Sequence, residues 1–160
     1  MTYTIKQGKP DPLVLHRGQT STFNMRAGLT PLSPPVEGRE ETFAVTFPKG
    51  TRFPKGGRVR YFTSTGDEPE SRPELVGWNA QKGLLLFKHR VHLNDGTPQQ
   101  NGFYSVDIQA PSDAPTGDHQ GSLKIALETA PLRVRILADT PPQDAPGTGD
   151  GGGTEGGTEQ

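Results

Sequence analysis

Tyr104-Ser105-Val106-Asp107-Ile108-Gln109-Ala110-Pro111-Ser112-Asp113-Ala114-Pro115-Thr116-Gly117-Asp118-His119-Gln120-Gly121-Ser122-Leu123-Lys124-Ile125 reads as strand, turn, strand. Apolar side chains alternate at Tyr104, Val106 and Ile108, cease at a cluster of Pro, Asp and Gly, and resume at Leu123, Ile125 and Leu127. Period-2 alternation on both sides of turn chemistry is the pattern of half-buried β-strands. It predicts two adjacent core strands, Phe103 to Gln109 and Gly121 to Leu127. Asp113, Asp118 and His119 read as turn formers between them, with no chemical partner in view.

The same rhythm extends along the chain. Further strands are expected at Thr2 to Lys6, Leu13 to His16, Thr20 to Arg26, Glu41 to Phe47, Arg58 to Ser64, Glu74 to Gly77, Leu84 to Leu93 and Leu132 to Leu137. No window carries apolar residues at i, i+3, i+4 and i+7 over three turns, and Pro or Gly interrupts nearly every candidate helix. The fold class is therefore all-β, an antiparallel sandwich of about seven to ten strands. Pro31, Pro34 and Pro35 lack donors, so the segment Leu29 to Gly38 is expected to cross between sheets rather than join one. Alternation also points Phe23, Met25, Phe43, Val45, Phe47, Val59, Tyr61, Leu132, Val134 and Ile136 inward, with Trp78 packed at a sheet end.

Composition divides the 160 residues in two. Residues 1–138 hold all 17 Lys and Arg against 13 acids, a net of +4, and are assigned to one sandwich domain. Residues 139–160 hold five acids and no base, and repeat Gly152-Gly153-Thr154-Glu155 as Gly156-Gly157-Thr158-Glu159. Such a Gly/Pro/Thr-rich stretch has nothing to bury, and is expected to be a disordered acidic tail. The chain contains no Cys, which excludes disulfides and thiolate metal sites. The first ten residues lack the basic region and apolar run of a signal peptide, and no stretch approaches the roughly 20 apolar residues of a membrane span, so no membrane insertion is expected.

Three phrases carry a family resemblance: Gly18-Gln19-Thr20-Ser21-Thr22-Phe23, Phe43-Ala44-Val45-Thr46-Phe47-Pro48-Lys49-Gly50-Thr51, and the run from Phe103 to Asp118 with its Ala110-Pro111-x-x-Ala114-Pro115-x-Gly117 core. Over about residues 10–138 the chain resembles bacterial immunoglobulin-like accessory domains, modules appended to glycoside hydrolases and cell-surface proteins, and the related sandwiches that decorate phage particles. The resemblance implies an immunoglobulin-like sandwich without catalytic residues.

The densest chemical feature is Lys49, Arg52, Lys55, Arg58 and Arg60, with no acid from Pro48 to Gly66 and with Phe47, Phe53, Tyr61 and Phe62 interleaved. Clustered cations suit a polyanion or an acidic partner surface. Cations at turns and outward strand positions also keep sheet edges soluble. A body charge of only +4 argues against a dedicated nucleic-acid binder. Phe53, Phe62 and Trp78 are the candidate exposed aromatics for a carbohydrate.

No metal or cofactor is expected. His89 and His92 lie three apart, which on a strand places them on opposite faces. Asp67, Glu68, Glu70 and Glu74 lack the alternating register of a calcium loop, and read as a solvated acidic stretch. Neither a Gly-x-Ser-x-Gly elbow nor a phosphate cradle followed by a helix is present, so no enzymatic activity is expected. The function expected is a non-enzymatic structural or interaction module docking on a larger assembly, foremost a phage virion decoration or accessory structural protein. The alternative is an extracellular carbohydrate- or cell-wall-binding accessory module. The partners that follow are a protein assembly, whether a capsid or a surface structure, or a carbohydrate, and the location is a virion or an extracellular surface.

Overall fold

Alternating apolar residues need a second layer to bury them, and the described residues supply it with ten strands in two facing sheets. The computed structural model describes residues 2–30, 39–62, 72–91 and 100–138. Among them are β1 (Thr2–Gln7), β2 (Leu13–His16), β3 (Thr20–Thr30), β4 (Arg39–Thr46), β5 (Val59–Phe62), β6 (Glu74–Asn79), β7 (Leu84–Val91), β8 (Gln100–Gln109), β9 (Gly117–Ile125) and β10 (Glu128–Leu137). The four-stranded sheet has the order β1-β3-β8-β5 and the six-stranded sheet the order β2-β10-β9-β4-β7-β6. All ten expected strands are present, and the molecule is an immunoglobulin-like β-sandwich. β3 and β4 belong to different sheets, but Leu29 and Thr30, expected in the crossing between them, are the last residues of β3 and pair with Tyr3 and Thr2. Residues 31–38, which link the two strands, and the tail from Asp139 onward lie outside the described residues.

Three features differ from the expectation. The pairing is not antiparallel throughout, since β2 runs parallel to β10 with Leu13 opposite Val134 and His16 opposite Leu137. The strands flanking Pro111 to Thr116 are consecutive in sequence but sit in opposite sheets. Ala110 and Ala114 are buried there, and the link between β2 and β3 holds the crossing in place. Gly18 N donates to Ala110 O (2.7 Å), Ala110 N to Gln19 O (3.0 Å) and Arg17 Nε to Ala114 O (2.8 Å). Asp118 and His119 are strand residues of β9 rather than turn formers. Asp118 has a partner in Arg135, whose Nε donates to Oδ1 at 2.7 Å and holds the carboxyl below its usual range.

The core joins two aromatic clusters. Near the end where β7 begins, Phe47 meets Phe23, Phe53 and Trp78 edge-on at centroid distances of 6.0, 6.2 and 5.0 Å. Toward the other end, Phe43 stacks on Phe87 at 4.6 Å and tilts against Tyr104 at 5.1 Å. Gln7, 3% exposed, ties the sheets together with its amide: Nε2 donates to Arg133 O (3.0 Å) and Oε1 accepts from Arg133 N (2.7 Å). A glutamine here imitates one step of a strand ladder, which satisfies the polar groups of a side chain taken out of water.

Leu127, expected in the core, is 92% exposed. Ile125 pairs with Glu128, so Ala126 and Leu127 form a two-residue hairpin tip, and the alternation stops one step earlier than the apolar letters suggest. Ala126 takes a φ of 52°, a conformation in which its Cβ crowds the backbone. Ala126→Gly should therefore raise the unfolding free energy by up to about 1 kcal/mol, read from the shift of a urea midpoint, despite the added entropy of an unfolded glycine.

Candidate functional site

An open groove lies beside the edge strand β6. Leu75 pairs with Phe87 and Trp78 with Leu85, so both side chains turn toward the interior side of the six-stranded sheet. A bulge at Val76 separates them. Opposite runs the segment 52–57, anchored where Arg52 N donates to Gln109 O and Gln109 N to Arg52 O, before β5 begins. The space between them, about 1110 Å³, is lined by Arg52, Lys55, Leu75, Trp78, Asp107 and Gln109 among others.

The groove gathers only part of the expected cation cluster. Arg52 and Lys55 line it, whereas Lys49 is exposed in the turn after β4 and Arg58 and Arg60 point outward around the start of β5. Although the run itself contains no acid, the fold brings one in. Asp107 Oδ2 accepts from Arg58 N (2.9 Å), while Arg52 Nε donates to Gln109 Oε1 (2.8 Å). The groove wall is therefore a mixed polar rim over aromatic carbon.

The three aromatics separate as well. Phe53 is not an exposed contact: it is 9% exposed and packs on Phe47 and Trp78. A Cβ at Gly57 would lie 2.9 Å from its ring, so the glycine lets the loop close over it. Trp78, expected at a sheet end, is half-buried on the edge strand β6, with its remaining surface on the groove. Phe62 is half-buried on the far side of β5, and the Arg60 guanidinium lies 5.2 Å from its ring centre.

Sequence reasoning missed a polar cluster inside the opposite end of the sandwich. His89, 3% exposed, lies with Nδ1 2.8 Å from Tyr104 Oη, and its ring is 4.3 Å from that of Tyr61. Nearby, where β4 pairs Glu41 with His89, Tyr3 Oη donates to Glu41 Oε2. The inward phase of His89 on β7 was the available signal. His92, Asp67, Glu68 and Glu70 lie outside the described residues, and Glu74 is exposed on β6. Among the described residues no group of three or more acids or histidines is placed to hold a metal ion, and no helix is long and apolar enough to cross a membrane.

Burial pushes the Tyr104 phenol well above its ordinary value, with Tyr61 adding to the shift, and burial raises Tyr61 too. The folded chain thus holds these protons more tightly than the unfolded chain. Stability is complete below the unfolded value of 10.0 and falls as pH rises beyond it. Urea unfolding between pH 9 and 11 should show a total loss of up to about 1.4 kcal/mol from Tyr104 alone, steepening with pH, and Tyr104→Phe should flatten that limb.

No family model matches the chain, and no curated protein matches it. Solved structures do. The pilus backbone RrgB of Streptococcus pneumoniae aligns over 79% of this chain with a TM-score of 0.57 and 12% identity. BcpA, the major pilin subunit of Bacillus cereus, in its D312A form aligns over 87% with a TM-score of 0.59 and 11% identity. The C-terminal domain of the BspA antigen I/II polypeptide of Streptococcus agalactiae aligns over 84% with a TM-score of 0.52 and 10% identity. At these identities the likeness is one of fold. The chain spans 31%, 41% and 49% of those three structures, respectively.

Proposed function

We propose that this chain is a non-enzymatic structural module that docks into a surface assembly through the β6 edge and its groove. The observation that carries this reading is the edge itself. Five of the six β6 residues are exposed, Leu75 and Val76 by 45% and 50%, and no strand covers the outer side of β6 among the described residues. An uncovered edge offers main-chain groups to an incoming strand, and adjoining pockets select its side chains. The groove with Trp78 supplies such a pocket. Between the virion and the cell surface, likeness to pilus subunits favours the cell surface.

The test compares the full chain with a Leu75→Lys, Val76→Lys variant in the producing cells. The expected result is that the native chain fractionates with high-mass surface material, and that the variant, with an unchanged melting temperature, is released as monomer. Incorporation of the variant at the native level would overturn the edge. Recovery of the native chain only as free monomer, or only with phage particles, would overturn the surface assembly.

A further inference from the structure

The outer face of the four-stranded sheet carries a feature that the sequence scatters over four strands. In register, Lys6 stands opposite Arg26, Arg26 opposite Phe103, and Phe103 opposite Phe62. These four side chains form one row across β1, β3, β8 and β5, at a strand spacing of about 4.8 Å. The next row is Asn24, Ser105 and Arg60, with Ser105 Oγ donating to Asn24 Oδ1 at 2.8 Å. The depression over these rows measures about 580 Å³.

The row is a poor choice for stability alone. Like charges directly opposite each other on a sheet repel. Lys6 and Arg26 are both exposed, and neither makes an ion pair among the described residues. Beside them stand two half-buried phenylalanines, paired across β8 and β5, that nothing in the core requires, since Tyr61 and Tyr104 take the inward positions of the same strands; the Arg60 guanidinium lies over the Phe62 ring. Among the described residues the first acid along this face is Asp107, on the row beyond Ser105.

We infer that this row, with Lys6 and Arg26 as the charge pair and Phe103 and Phe62 as the platform, binds an anionic polysaccharide. A carboxylate or sulfate between Lys6 and Arg26 relieves their repulsion, while a sugar ring covers the phenylalanines and its hydroxyls meet Asn24 and Ser105. With Lys9 also lining the depression and Arg60 in the second row, the four cations suit an acidic glycan better than a duplex that carries one charge per about 1.7 Å. The surface is separate from the β6 groove, so this inference stands apart from the assembly reading.

Affinity electrophoresis of the full chain through polygalacturonate and through heparin distinguishes carboxylate from sulfate, with neutral dextran and oligo-dT as comparisons. Retention by at least one of the two acidic glycans, weakening with salt, is expected. The Lys6→Ala, Arg26→Ala variant should weaken it about tenfold or more, with Arg26→Lys retaining most of it and Lys49→Ala, Lys55→Ala leaving it unchanged. The inference is overturned by absence of retention, by equal retention in dextran, by tighter binding of oligo-dT, or by retention that survives the Lys6, Arg26 change.

Discussion

Among the described glycines, Gly121→Ala should be the most damaging substitution, lowering the unfolding free energy by about 3 kcal/mol or more. β4 follows β9 from Phe43 opposite Ile125 to Thr46 opposite Ser122, then leaves the sheet so that Phe47 enters the core. It departs directly over Gly121. A Cβ there would lie 1.9 Å from Thr46 O and 2.8 Å from Pro48 N, both main-chain atoms with no rotamer to escape into. One methyl group would force the β4 exit off β9 and take Phe47 out of contact with Phe23, Phe53 and Trp78. Denaturant unfolding of the variant should show the midpoint falling far more than for Gly77→Ala, whose Cβ would meet nothing within 4 Å. Equal losses at the two glycines would show that the close approach does not matter.

Phe43→Ala should cost about 3–5 kcal/mol, the range for removing a fully buried ring. Phe43 is 0% exposed and touches both Phe87, stacked within 7° of parallel, and Tyr104 from the opposite sheet. Its loss opens a cavity on the plane where the sheets meet, and a sandwich cannot collapse into it without moving two ladders at once. Phe43→Leu should recover most of the loss, since it keeps the site filled and apolar. A calorimetric melting temperature for the three chains separates the cases. An alanine variant within about 1 kcal/mol of the native chain would mean that the sheets slide to fill the space.

The strands were legible because alternation is a local property. Phe23 and Met25, Val106 and Ile108, Val134 and Ile136 each declare a face without reference to any other strand. Sheet membership is not local. The prolines after Ala110 read equally well as a hairpin turn or as a passage between sheets, and the contacts that decide for the passage come from Arg17, Gly18 and Gln19, almost a hundred residues away. Leu127 was misplaced because a two-residue hairpin keeps strand spacing in the sequence while its tip leaves the sheet. Phe53 lies in a run with no strand alternation to give it a face, and the Arg52–Gln109 bridge turns it inward.

The candidate sites show the same division. Five cations close in sequence disperse over a turn, a groove and an outer face, whereas Lys6 and Arg26, twenty residues apart, come to face each other. Clustering along the chain marks composition; clustering across a sheet follows the register, and register depends on the pairing of every strand.

The parallel pairing of β2 with β10 determines how the module answers tension. A pull entering at Leu13 and leaving at Leu137 draws these two strands along their own length in opposite directions, because they run the same way and are held at opposite ends. The load then falls on the whole ladder between them in shear, all rungs at once, instead of peeling them one after another. A load that enters at β2 meets that resistance, whereas β1, which precedes it, pairs antiparallel with β3 in the other sheet and takes no part in this ladder.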